Sequence, residues 1–119
     1  MSDITQANVP ASTVTLLASA ARTATAAGAA VPGFAAANNL VLQLNVTLAS
    51  GTTPMLDVVV QDTVDGSNWS TIATFTQAIS ATREVIRLAT PFTDNLRAVS
   101  TIAGGTPSFT YSVLAYADI

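Results

Sequence analysis

The chain contains no cysteine, no histidine and no lysine, and these absences remove most enzyme chemistry at the outset. Without cysteine there is no disulfide, no thiolate nucleophile and no soft metal ligand. Without histidine, the side chain that titrates near neutral pH and most often binds metals is missing. Positive charge rests on Arg22, Arg83, Arg87 and Arg97 alone. Charged residues make up 9% of the chain, far below the usual share of about 25%. A net charge of −3 opposes binding to nucleic acid, because neutralising phosphates requires clustered Lys or Arg. No apolar run reaches the ~20 residues of a membrane-spanning helix. Met1-Ser2-Asp3-Ile4-Thr5-Gln6 lacks the basic and apolar regions of a secretory signal, so synthesis and folding in a cytoplasm are expected.

What is present is β-pattern. At 119 residues and 50% hydrophobic, the chain is long enough to bury a core of its own. Residues 1–12, which include Pro10, read as an arm, and residues 13–119 as one β-domain. The clearest strand is Asn39–Leu48, where Leu40, Leu42, Leu44, Val46 and Leu48 share one face. Further alternation runs through Leu56–Gln61, Trp69–Phe75, Arg83–Ala89, Asn95–Ile102 and Ser108–Ala117. Thr13–Thr25 reads as strand, and residues 28–39 as a loop carrying Gly28, Pro32 and Gly33. Two nearly identical breaks, Gly51-Thr52-Thr53-Pro54 and Gly104-Gly105-Thr106-Pro107, are expected to end their ladders and make sibling strand–turn–strand units. The sum is an antiparallel sandwich or barrel, jelly-roll or immunoglobulin-like, of seven or eight short strands.

Few residues carry chemistry. In Thr63-x-Asp65-Gly66-x-x-Trp69 the Gly adjoins the Asp and the Trp lies four residues after it. The Asp-box of sialidase propellers needs other spacings, so the segment reads as an Asp-Gly hairpin turn with Trp69 capping the core. Asp62, Asp65 and Asn68 lack the spacing and bidentate Glu of an EF-hand loop. Asp57 and Asp62 have opposite parity on one strand, so they do not form a carboxylate pair. No catalytic residue, metal site or cofactor is expected. Arg83, Glu84, Arg87 and Arg97 are the candidate interface residues, because guanidinium groups suit intersubunit ion pairs. Asp94 is the expected local partner of Arg97. Trp69, Tyr111 and Tyr116 are candidate aromatic contacts, for example as a sugar-stacking platform.

Thr15–Thr25, Leu40–Leu48, Gly51-Thr52-Thr53-Pro54-Met55-Leu56-Asp57-Val58, Gln61–Trp69 and Pro107-Ser108-Phe109-Thr110-Tyr111-Ser112-Val113 together resemble small β-sandwich virion structural proteins of tailed bacteriophages. The resemblance spans about residues 13–117. It implies a head decoration or cement protein that binds the major capsid protein or other virion proteins, is localised to the virion, and forms a homo-oligomer with a trimer as first expectation. Two alternatives stay open: a neck, tail or head-fibre component, and a carbohydrate-binding adhesion module.

Overall fold

The alternation resolves into six antiparallel strands in one sheet, two of which run its full length. A computed structural model describes residues 11–118 apart from 36, 90 and 91. The strands are β1 (Ala11–Arg22), β2 (Ala26–Ala27), β3 (Asn39–Thr63), β4 (Trp69–Thr74), β5 (Thr82–Leu88) and β6 (Asn95–Asp118). They run β1-β6-β3-β4, with β2 also paired to β6 and β5 also paired to β3. There is no helix among the described residues, hence none long and apolar enough to cross a membrane. Of the expected arm, residues 1–10 lie outside the described residues, while Ala11 and Ser12 already pair with Asp118 and Ala117.

The strand count is lower than the pattern suggests because neither Gly-Pro break ends its strand. β3 and β6 pair from Asn39↔Asp118 to Thr63↔Asn95 and pass through both breaks together. At the midpoint Thr52 pairs directly with Gly105, so the two similar motifs lie against each other. Gly51 has φ +120° and Gly104 φ +118°, followed by Thr53 at +44° and Thr106 at +48°. The same four-residue bend is therefore built twice, in left-handed backbone that its glycine adopts without strain and its β-branched threonine only at a cost. Pro54 and Pro107 fall where the ladder skips, between Thr52 and Met55 and between Gly105 and Ser108. Their missing N–H groups cost no ladder bond there.

Since Thr52 and Gly105 occupy equivalent places in the two motifs and also pair, a local two-fold axis passes between them. It relates Leu56, Val58 and Val60 to Phe109, Tyr111 and Val113, all buried. The flanks follow the same relation. β1 lies beside the second half of β6 as β4 lies beside the second half of β3.

At the bends the strands double back. The buried Tyr111 hydroxyl donates to Ser100 Oγ at 2.6 Å, although the two residues are 11 apart on the same strand. Eleven extended residues would separate them by roughly 36 Å. The inner faces of the two halves thus meet, and Leu40, Leu42, Leu44 and Val113 join Leu56, Val58, Leu96 and Phe109 in one core. Among the described residues the sheet does not close into a barrel: β1 and β2 remain edges on one side, as do β4 and β5 on the other.

Two side chains fall elsewhere than simple alternation places them. Leu48, expected on the inner face, is 63% exposed, because the register shifts between Val46 and Leu48. Trp69, expected to cap the core, pairs with Thr63 while Ala73 pairs with Val60, and a register shift lies between them. A bulge of this kind turns the next side chains to the opposite face. The loop before β3 closes one end of the core with Phe34, which is buried. It is held by the Val31–Leu96 bridge and by Asp94 Oδ1, which accepts from Gly33 N (3.2 Å) and Ala35 N (2.9 Å).

Candidate functional site

The strand order brings one pair of the sequence-predicted residues together with partners that sequence could not supply. On the outer face, opposite the core, Val41 of β3, Leu114 and Tyr116 of β6, and Arg83, Val85 and Arg87 of β5 line a shallow groove of about 240 Å³. Each strand contributes by alternation. Val41 lies between buried Leu40 and Leu42, and Leu114 between buried Val113 and Ala115. Arg83 Nε donates to Gln43 Oε1 at 2.8 Å, which extends the guanidinium across the groove wall. Arg87 sits opposite Val41 in the register. Tyr116, 43% exposed, lies at the β6 side. The groove is apolar at its floor and cationic along the β5 rim, and none of the described side chains lining it is a carboxylate.

The other candidates are placed elsewhere. Glu84 pairs with the buried Leu44, so it points to the face opposite Arg83 and Arg87. Its Oε1 accepts the Thr76 N–H at 2.8 Å and its Oε2 the Thr76 hydroxyl at 3.4 Å. It therefore fastens the β4–β5 loop. Arg97 does not pair with Asp94. Its guanidinium stacks 4.3 Å from the centroid of Trp69, and its Nε donates to Gln61 Oε1 at 2.9 Å. This second cluster lies on the outer face at the opposite end of β3 from the groove, since Arg97 pairs with Gln61 while Tyr116 pairs with Val41. The three aromatics form no single platform: Tyr111 is fully buried, and Trp69 and Tyr116 are at opposite ends. Arg22, which sequence left unassigned, covers Tyr111 with its guanidinium 4.9 Å from the ring centroid.

The carboxylates of the described side chains are occupied one by one. Asp57 accepts from Gln77 Nε2 at 3.0 Å, and the buried Asp62 accepts the Thr93 N–H at 3.1 Å. Asp65 organises the hairpin loop. Its Oδ1 accepts the N–H groups of Ser67 (2.9 Å) and Asn68 (2.8 Å), and its Oδ2 accepts from Asn68 Nδ2 (2.8 Å). These donors, chiefly those of Asn68, hold its carboxyl well below the usual carboxylate range. With its oxygens serving the turn, Asp65 behaves as an Asx-type loop anchor. No group of three or more carboxylates gathers as for a metal among the described residues.

The groove can receive an apolar side chain and pair guanidinium groups with a carboxylate beside it, which is protein recognition chemistry. Only the face-sharing of Arg83 and Arg87 was readable from spacing. Their association with Val41, Leu114 and Tyr116 depends on which strands are neighbours. The chain matches no protein-family model, and no curated protein is significantly similar to it.

Proposed function

We propose that the protein is a structural component of a tailed-bacteriophage virion, made in the host cytoplasm and acting as a decoration or cement protein on the head. In this reading the folded-over sheet serves as a small sandwich that works by burying surface on the major capsid protein, as a homo-oligomer and without catalysis. The observation that carries it is the outer groove. It is an apolar sheet face across β6, β3 and β5 with Arg83 and Arg87 along one rim and no acid among the described side chains that line it. The low overall charge and the resemblance to virion proteins support the same reading. Stable protein contacts bury ~1,200–2,000 Å² in total, and repetition over a shell converts modest contacts into collective resistance.

The test begins with mass spectrometry of purified virions. Heads lacking the protein are then titrated with the wild-type chain and with Arg83→Glu/Arg87→Glu. The expected result is presence in virions and saturable binding that the double variant weakens at least tenfold. Absence from purified virions would overturn the proposal.

A further inference from the structure

We infer that β1 is a self-association edge: a second copy of this chain pairs antiparallel with the Ala11–Thr15 stretch of β1, joining two sheets across a two-fold axis. Self-pairing of this kind needs no virion and would stand if the protein were never found on one.

Among the described residues four strands have an open side, and they are guarded unequally. β2 is two residues long, too short to be a template. β5 carries Arg83, Glu84 and Arg87 within seven residues, and charges on an edge strand discourage pairing with another chain. β4 is six residues long, and short edges are weak templates. β1 is 12 residues long, contains no proline, and has no charged residue before Arg22.

Its second half is nevertheless blunted. Register shifts fall between Thr15 and Leu17 and between Leu17 and Ala20, and bulges of this type twist an edge away from partners. Arg22 then uses its guanidinium on the backbone there: Nη2 donates to Ala18 O at 2.7 Å and Nη1 to Ala20 O at 3.3 Å. Those carbonyls are taken.

The first half has none of these devices. Ala11 to Thr15 pairs without interruption to Asp118 through Leu114 on one side. On the other side its backbone groups have no backbone partner among the described residues. A strand presents N–H and C=O groups alternately to its two sides, so this stretch offers a regular unpaired row.

Charge favours a second copy as the occupant. Neither strand brings a charge to a pairing centred on Thr13, the middle of the uninterrupted stretch. Thr13 would lie opposite Thr13 of the partner subunit, a favourable cross-strand pair with Cβ atoms ~4.5–5.5 Å apart. Pairing of β5 with itself would instead set Arg83, Glu84 and Arg87 against their own copies. Five residues a side is a small contact, so the association is concentration-dependent.

The experiment is sedimentation equilibrium of the full chain over a wide concentration range, with hydrogen exchange read at Thr13–Thr15. Wild type, Thr13→Lys, Thr13→Glu and an equimolar mixture of the two variants are compared. Thr13 is exposed, so either variant is expected to fold, and circular dichroism checks this. The expected result is a monomer–dimer equilibrium with exchange protection that grows with dimer. Each single variant should weaken it at least about fivefold, and the mixture should restore it by pairing opposite charges. A trimeric mass, or dimerisation indifferent to both variants, would overturn the inference. So would protection of Thr13–Thr15 in a protein that stays monomeric, which would mean the chain covers its own edge.

Discussion

Replacing Gly51 by alanine should cost about 2–6 kcal/mol of folding stability, and the structure separates this into two parts. One is backbone strain: φ is +120° at Gly51, a conformation that costs a residue with a Cβ roughly 1–3 kcal/mol. The other is crowding. An added Cβ would lie 2.9 Å from each of Gly105 O, Pro107 Cα and Thr106 O, all backbone atoms of the facing bend. Overpacking a site that cannot yield costs about a further 1–3 kcal/mol. Gly33 provides the control, since its φ is +108° with nothing within 4 Å of an added Cβ, so Gly33→Ala measures strain alone. Urea denaturation of both variants gives the difference, which is the crowding of one bend on the other. Gly104→Ala should behave like Gly51→Ala, because its Cβ would lie 2.7 Å from Thr53 O. The double variant should cost less than the sum, since the first displacement relieves the second. If Gly51→Ala proves no worse than Gly33→Ala, the two bends do not lie against each other and the account of the sheet's midpoint is wrong.

Three further outcomes follow from named contacts. Tyr111→Phe should destabilise by about 1–3 kcal/mol, since it strands the Ser100 hydroxyl in the core, and Tyr111→Phe/Ser100→Ala should recover much of that loss; additive losses in a double-mutant cycle would deny the contact between halves. Arg97→Ala should shift the fluorescence of Trp69, the single tryptophan, to longer wavelength by uncovering its ring, and an unchanged spectrum would contradict the stacking. For Asp65 the folded pKa lies below its ordinary value of 3.8, so its stabilisation of the loop is present above that pH and is lost only as pH falls through the lower folded value. In an NMR titration the amides of Ser67 and Asn68 should stay put while ordinary carboxylates protonate, and a midpoint near 4 would refute the anchoring role.

Local pattern was a good guide where neighbours in sequence decide the outcome. The inward faces of Leu40–Val46 and Phe109–Ala115 were legible from alternation, as was the Asp65-Gly66 turn. The two breaks were visible as well, but their meaning was not. Gly and Pro locally signal an end, and only the facing copy of the same bend lets both strands continue. Trp69 and Leu48 were misplaced by single-residue bulges, which leave no clear mark in a hydrophobic pattern. The partners of Glu84 and Arg97 depend on loop paths and strand order. The same holds for the candidate site: Arg83 and Arg87 could be read as sharing a face, whereas Tyr116 joins them only through a sheet order that no local rule supplies.

The central role of β6 has a consequence for how the chain acquires its fold during synthesis. Of the described strands β1 and β2 are made first, yet the one described strand that pairs with them is β6, the last of the six. Ala11 waits for Asp118. Until then only the β3–β4 and β3–β5 pairings are available, and the apolar faces of β1 and β3 lack their cover. Closing such distant contacts is slow, so folding of these strands waits until β6 is free to pair. Truncation within the second half of β6 should therefore abolish the pairing of β1 too, and nascent chains should be at their most aggregation-prone just before β6 becomes available.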